Sequence, residues 1–292
     1  MDWTKAKTIL IIAFLITNVF LGTHLLSAQS RQTGSVVDET YVQQTLNFLA
    51  DQGVVLETEI PRQAPSLSSV TVSYLFHTPA ETAERFLGPD WTLAGSNIFE
   101  SAAGRLTLVN EKQLMYQQFE PGPMLPAMNE GMLEQVSRDF LEHHALYPEG
   151  LFLSQIYVGV VPEYHPDPLH KLVYQQTYQG RFIGESYVHV YVNQRGVVAV
   201  EALLLKPPEE MEQAGAARTM IDAPEALLRV LDQILQDHPS EDPVLISRIE
   251  AGYYFALPQD PLTRWEVVAS GTAVPAWKIV LKNGDTYYQE AF

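Results

Sequence analysis

The sequence predicts an α+β protein: a single N-terminal transmembrane helix, then an extracellular region of antiparallel sheets, each packed by helices. Three observations predict it. Residues 8–26 form a run that is mostly apolar and carries no Lys, Arg, Asp or Glu. Further along, helical stripes with clear start signals are each followed by several short alternating segments. The last two of those segments are joined by Asn283-Gly284, a preferred hairpin dipeptide.

The apolar run comes first. Lys5 and Lys7 precede it, and no charged residue follows until Arg31. A helix of that length spans roughly 28 Å at 1.5 Å per residue, close to the ~30 Å hydrocarbon core of a bilayer. A secretory signal has a shorter apolar region and a small-x-small cleavage site. Here a cut after Ala28 would leave the bulky Leu26 three residues back. The run therefore reads as a retained anchor. The preceding lysines place the short N-terminus in the cytoplasm and the bulk of the chain outside. The organisation read from this is a cytoplasmic tail at 1–7, the span at 8–27, a polar tether at 28–37, and domains at 38–125 and 126–292.

In the first extracellular domain a helix is predicted over 38–52. Val42, Leu46 and Leu49 recur at helical spacing, and Gly53 closes it. Strands follow at 54–60 and 68–76. "HTPAETAERFLGP" predicts a second helix, with Thr78 as N-cap, Pro79 first, Glu81 completing a capping box and Gly88 as the stop. Strands at 97–101, 105–109 and 113–119 complete the domain. The Pro- and Gly-containing "EPGPMLPAMN" marks the boundary.

The second domain reads as two similar helix-plus-four-strand units, at about 130–205 and 222–292. In the first, Leu133, Val136, Phe140 and Leu141 stripe a helix over 130–145, and strands follow at 151–161, 171–178, 186–192 and 197–205. "KPPEEMEQAGAAR" is acidic and aperiodic. In the second, Asp222 and Glu225 make a capping-box-like start. Ala223, Ala226, Leu227, Val230, Leu231 and Ile234 form a continuous apolar stripe. Strands follow at 244–255, 264–269, 276–281 and 286–292.

Composition excludes several classes. Lys and Arg total 18 against 35 Asp and Glu, a formal charge of −17. Such a surface repels nucleic acid, whose binding rests on cationic contacts to phosphate. There is no cysteine, so there are no disulfides, thiol nucleophiles or thiolate metal sites. No G-x-S-x-G elbow, phosphate loop or G-x-G-x-x-G occurs. His143 and His144 are adjacent on a helix, which is not the i, i+4 spacing of a helical metal site. His165 and His170 flank a loop containing Asp167 and read as solvated. No catalytic residue, metal or cofactor is predicted.

The Tyr-rich stretches "YQQTYQG" and "SYVHVY" alternate as half-buried strands do. Tyr174 and Tyr178 fall on one face with Gln176 between them, and Tyr187 and Tyr191 share another. Cross-strand aromatic packing is the favoured reading. The functional alternative is a groove for a peptide or cell-wall fragment.

The opening "MDWTKAKTILIIAFLI" resembles the start of the YycI (WalI) family. So do "YQQTYQGRFIGESYVHVYVNQRGVVAVEA", "IEAGYY" and the closing "VPAWKIVLKNGDTYYQEAF". Two departures stand out. "GRFIGES" replaces the Pro-Ile-Phe-like run that more often follows the glycine. The chain also stops at Phe292, where the family often continues. The resemblance implies a single-pass regulator of an essential two-component system that controls cell-wall metabolism in low-GC Gram-positive bacteria. It implies action with a YycH-like protein on a YycG/WalK-like sensor histidine kinase, and no catalytic residues. A tethered extracellular binding module for a peptide or wall fragment, with no kinase partner, is the alternative.

A seven-residue cytoplasmic tail holds no enzyme, so any effect on a kinase passes through the span or through external contacts. In lipid, helices pair by close packing and interhelical hydrogen bonds. Asn18 and Gly22 lie four apart on one face with Ile11 and Leu15, and this face is the candidate partner-binding surface. Thr17 and His24 form a rotated polar edge.

Overall fold

A computed structural model describes residues 37–120, 122–239, 243–255 and 268–292. The predicted span, and with it Ile11, Leu15, Asn18 and Gly22, lies outside them. No helix among the described residues is long and apolar enough to cross a membrane. The described residues are α+β, mostly sheet with four α-helices.

In chain order the elements are α1 (Glu39–Asp51), β1 (Val54–Leu56), β2 (Ser66–Ser73), α2 (Pro79–Leu87), β3 (Thr92–Gly95), β4 (Ile98–Glu100), β5 (Gly104–Val109) and β6 (Gln113–Gln118). Then follow α3 (Glu130–His143), β7 (Leu151–Val160), β8 (Leu169–Tyr178), β9 (Arg181–Asn193) and β10 (Gly196–Leu203). A short 3₁₀ turn (Pro208–Glu210) leads to β11 (Glu212–Thr219), α4 (Ala223–Asp237), β12 (Val244–Tyr254), β13 (Ser270–Leu281) and β14 (Thr286–Glu290). They divide into two compact units. Among the described residues, one comprises 37–68, Gly215–Ala251 and Pro275–Phe292; the other comprises Ser69–Ala214 and Gly252–Val274. The Pro-rich 120–129 segment, read from sequence as a boundary, lies inside the second unit. Pairing accounts for this: β6, before the segment, joins β10, well after it, in antiparallel register.

In the first unit the Asp222 side chain caps α4, accepting from the Glu225 amide at 2.8 Å. The predicted stripe of α4 is buried from Ala223 to Ile234. It packs with Val42 and Leu49 of α1, Val244 and Ile246 of β12, and Trp277 and Ile279 of β13. Each such aliphatic side chain contributes roughly 1.5–3 kcal/mol on burial. Trp277 is buried because its indole N–H has a partner, the Ile221 carbonyl at 2.9 Å. β1 pairs in parallel with β12, and β13 pairs antiparallel with β14.

The β13–β14 turn differs from the two-residue hairpin expected of Asn-Gly. The amide of Leu281 donates to Asp285 and that of Gly284 donates to Leu281, which closes a three-residue loop. Gly284 takes positive φ, at 101°, while Asn283 does not. Asn283 instead accepts the Asp285 amide through its side chain, a local bond that competes with the left-handed conformation a two-residue turn requires.

The second unit is built on an antiparallel sheet in the order β7–β8–β9–β10–β6–β5–β4–β3. Ala83, Phe86 and Leu87 of α2 and Leu133 and Leu141 of α3 pack on one sheet face. There they meet Leu106, Leu114, Leu172, Val188, Val190, Val192 and Val200. The helix and four strands predicted over 130–205 are α3 and β7 to β10. Over 222–292, β12, β13 and β14 follow α4, and most of the strand predicted at 264–269 lies outside the described residues.

Two strands escaped the sequence reading. β3 is short and mostly exposed. β11 is exposed along nearly its whole length, so no alternation betrays it. α2 starts at Thr78 as predicted, but without a side-chain cap bond. The Thr78 carbonyl instead accepts the Thr82 hydroxyl, so the predicted capping box does not form.

Candidate functional site

The face of the second unit's sheet opposite α2 and α3 carries a polar and aromatic cluster. The strand period of two creates it: Val188, Val190 and Val192 face the core, so Tyr187, His189 and Tyr191 point the other way. Register sets Glu201 opposite His189, and Lys171 opposite Tyr191. The Tyr164 hydroxyl, from the β7–β8 loop, donates to Glu201 Oε1 at 3.1 Å. The Tyr191 hydroxyl donates to Oε2 at 3.3 Å. His189 Nδ1 lies 3.5 Å from the same oxygen. Tyr187 stacks on His189 with ring centroids 4.4 Å apart, and its hydroxyl accepts from Gln113 Nε2 at 3.1 Å. The Lys171 ammonium sits 5.8 Å from the Tyr191 ring centre.

The electrostatics are those of a carboxylate held ionised in a half-buried setting. Burial works against the charge of Glu201, but His189, the Tyr164 hydroxyl and Lys171 outweigh it, so the pKa falls below the usual range. Burial lowers His189 despite its carboxylate neighbour. Burial and then the Glu201 charge raise both Tyr164 and Tyr191. These tyrosines stay protonated donors at neutral pH. The cluster fastens the β7–β8 loop to the sheet.

Beside it, three segments distant in sequence border one cleft of about 460 Å³. Asp167, Pro168 and His170 come from the β7–β8 connection. Asn193, Gln194 and Arg195 come from the β9–β10 turn, and Met124 and Met128 from the segment before α3. That segment is tied down, since the Leu125 amide donates to the Gln194 carbonyl at 2.8 Å. A Cβ on Gly122 would stand 2.6 Å from the Arg195 carbonyl oxygen, so only glycine permits this approach.

The predicted tyrosine pairs fare differently. Tyr187 and Tyr191 do flank His189 in the cluster. Tyr174 and Tyr178 are separated by a register irregularity between Gln175 and Thr177. Tyr174 is bonded to the Ser137 hydroxyl of α3 at 2.5 Å, and Tyr178 meets Tyr253 edge-on at 5.9 Å. Both are buried, as aromatic packing requires. Gln176 is fully buried. Its Nε2 donates to the Leu205 carbonyl at 3.0 Å, and its Oε1 accepts the Leu205 amide at 2.8 Å and the Ser186 hydroxyl. His144 is buried between Phe86 and Phe140, each 4.3 Å away. The His165 ring accepts the Asp167 amide. Among the described residues no three His, Asp or Glu gather as a metal-ligand set.

Sequence reasoning missed Glu201 and the cleft. The signal for Glu201 was present: it is the lone acid in the apolar run 197–205, and an acid there needs partners. The cleft had no such signal, because its walls come from three separate segments.

No curated protein sequence matches the chain. Among solved structures, YycH from Bacillus subtilis aligns at 11% identity with a TM-score of 0.45, over 80% of this chain and 54% of that one. The chain thus spans about half the length of that protein. The family model described as "YycI protein" matches residues 32–292. That match covers nearly all of the chain and every element described above, and on it the chain belongs to the YycI family.

Proposed function

We propose that the chain is a single-pass membrane accessory regulator. It modulates a cell-wall-controlling sensor histidine kinase of the YycG/WalK kind, together with a YycH-like partner. The observation that carries this reading is the YycI family match over residues 32–292. In this reading residues 8–27 hold the chain in the cell membrane, with the N-terminus cytoplasmic and the bulk extracellular. Contacts with the kinase and its partner run through the span and the extracellular region, and the role is regulatory rather than enzymatic.

Within the span, the Ile11–Leu15–Asn18–Gly22 face packs against partner helices. Asn is costly against lipid, and Gly lets a second backbone come close. An interhelical hydrogen bond from Asn18 contributes about 0.6–2 kcal/mol, roughly a 3- to 30-fold change in association. Asn18→Leu and Gly22→Leu should each reduce co-purification of the kinase by that order, with Phe14→Leu, on another face, at wild-type level. Quantitative pull-down from solubilised membranes measures this. Wild-type recovery with both variants would remove this face from the contact. If the kinase is never recovered, even with the wild-type chain, the reading shifts to a tethered binding module for a peptide or wall fragment.

A further inference from the structure

The cleft of the second unit holds an unneutralised cation in an acidic protein. Among the described residues Arg195 is the one Lys or Arg whose side chain meets no carboxylate, carbonyl or aromatic ring. The others are engaged. Arg62, Arg105, Arg138, Lys206, Arg229, Arg248, Lys278 and Lys282 each pair with a glutamate. Arg85 and Lys112 donate to carbonyls. Lys171 and Arg218 lie over rings, and Arg181 has an interaction of its own. With 35 acids to 18 bases in the chain, a cation left without a partner stands out.

Its backbone is nonetheless fixed. The Arg195 amide donates to the Asn193 side chain at 2.7 Å, and the Gly122 segment closes on its carbonyl. Arg195 thus borders, from a braced turn, a cleft of about 460 Å³, within the size range of small-ligand sites.

We propose that this cleft binds a short peptide with a free C-terminal carboxylate and an aliphatic side chain. Arg195 is the carboxylate anchor, since a guanidinium fork matches a carboxylate in two parallel hydrogen bonds. Met124, Met128 and Pro168 form the apolar wall, and methionine adapts its shape to varied side chains. The side-chain amides of Asn193 and Gln194 offer donors and acceptors for peptide groups. Asp167, which makes no ion pair with Arg195, also borders the cleft. Its charge repels polyanions and leaves a single carboxylate as the preferred group. The proposal stands independently of the kinase reading.

The test is a titration of the full chain, labelled with ¹³C at the methionine methyls, in detergent micelles. The probes are acetyl-Ala-Ala-Leu with a free carboxylate, the same peptide as its C-terminal amide, and acetate alone. The expected result is a saturable shift of the Met124 and Met128 methyl signals with the free acid. The amide and Arg195→Gln should each weaken binding about 10-fold, with the other methionine signals unmoved. Arg195 is exposed, so the variant keeps its fold. Equal binding of acid and amide, or an unaffected Arg195→Gln, would overturn the role of Arg195. Saturation by acetate alone at the same concentration, or no saturable shift with any probe, would overturn the peptide site.

Discussion

Gln176→Leu will lower the unfolding free energy by about 3–5 kcal/mol, the sum expected when buried backbone groups lose their hydrogen bonds. The Gln176 side chain acts as a short piece of strand. It gives a donor to the Leu205 carbonyl and an acceptor to the Leu205 amide, and holds the Ser186 hydroxyl as well. Leucine fills a similar volume but returns none of these bonds. The Leu205 amide and carbonyl would then be buried without the side chain that pairs them, and water cannot replace it at a fully buried position. For a chain of this size the loss corresponds to a melting point roughly 10 °C lower. Ser186→Ala should cost only about 1 kcal/mol, because Gln176 Oε1 keeps the Leu205 amide. Urea unfolding followed by tryptophan fluorescence measures both. A loss under 1 kcal/mol for Gln176→Leu would show that the side chain is not the link.

Acid will destabilise the protein before its carboxylates titrate. His144 is buried between aromatic rings, and its pKa is lowered to about 4 by burial and by the neighbouring His143, against the hydrogen bond from its ring to the Arg85 carbonyl. His77 is lowered to about 4 by burial and then by the Arg85 charge. Its Nε2 has no hydrogen-bond partner among the described residues. Both imidazoles are neutral in the folded protein, while in the unfolded chain they take up a proton near pH 6.5. The unfolded state therefore binds more protons between pH 6.5 and 4. The stability these residues contribute is fully present above pH 6.5 and is lost as pH falls through that window, by about 3 kcal/mol per imidazole. The double variant His77→Phe, His144→Phe should start less stable at pH 7.5, since it loses the bond to Arg85, but its stability should fall far less by pH 4.5. Chemical unfolding at a series of pH values gives the difference. Parallel curves for wild type and variant would mean that these histidines do not set the acid limit.

What could be read in advance follows from how each element is stabilised. α4 was legible because it buries one face only and its cap is local: Asp222 reaches three residues on, and the stripe from Ala223 to Ile234 has a single partner surface. α3 and the strands β7 to β10 were legible for the same reason, alternation against one core. β11 was not, since both its faces meet solvent and nothing in "EQAGAART" records the pairing. Thr78 was found as the start of α2, but its carbonyl rather than its side chain does the work. Asn283-Gly284 did mark a turn, and only the loop length differed.

The candidate site was less legible than the fold. Tyr187 and Tyr191 were singled out, yet the carboxylate that organises Tyr191 and Tyr164 sits on another strand. Gln176 was placed on the right strand, but its partner Leu205 is 29 residues away. The cleft depends on Gly122, Leu125 and Asp167 meeting the β9–β10 turn, and no local pattern reports contacts over such separations. The predicted span lies outside the described residues; its apolar length, flanking lysines and the Asn18–Gly22 spacing are features of the sequence alone.

The central claim is that this chain regulates a sensor kinase across a membrane. The most direct measurement is the autophosphorylation rate of the YycG/WalK-like kinase in lipid vesicles, with and without the full chain and the YycH-like protein. The account predicts a several-fold change in rate when the chain is present, in either direction, diminished by Asn18→Leu and Gly22→Leu. Identical rates with and without the chain, under conditions where all three proteins are inserted, would contradict it.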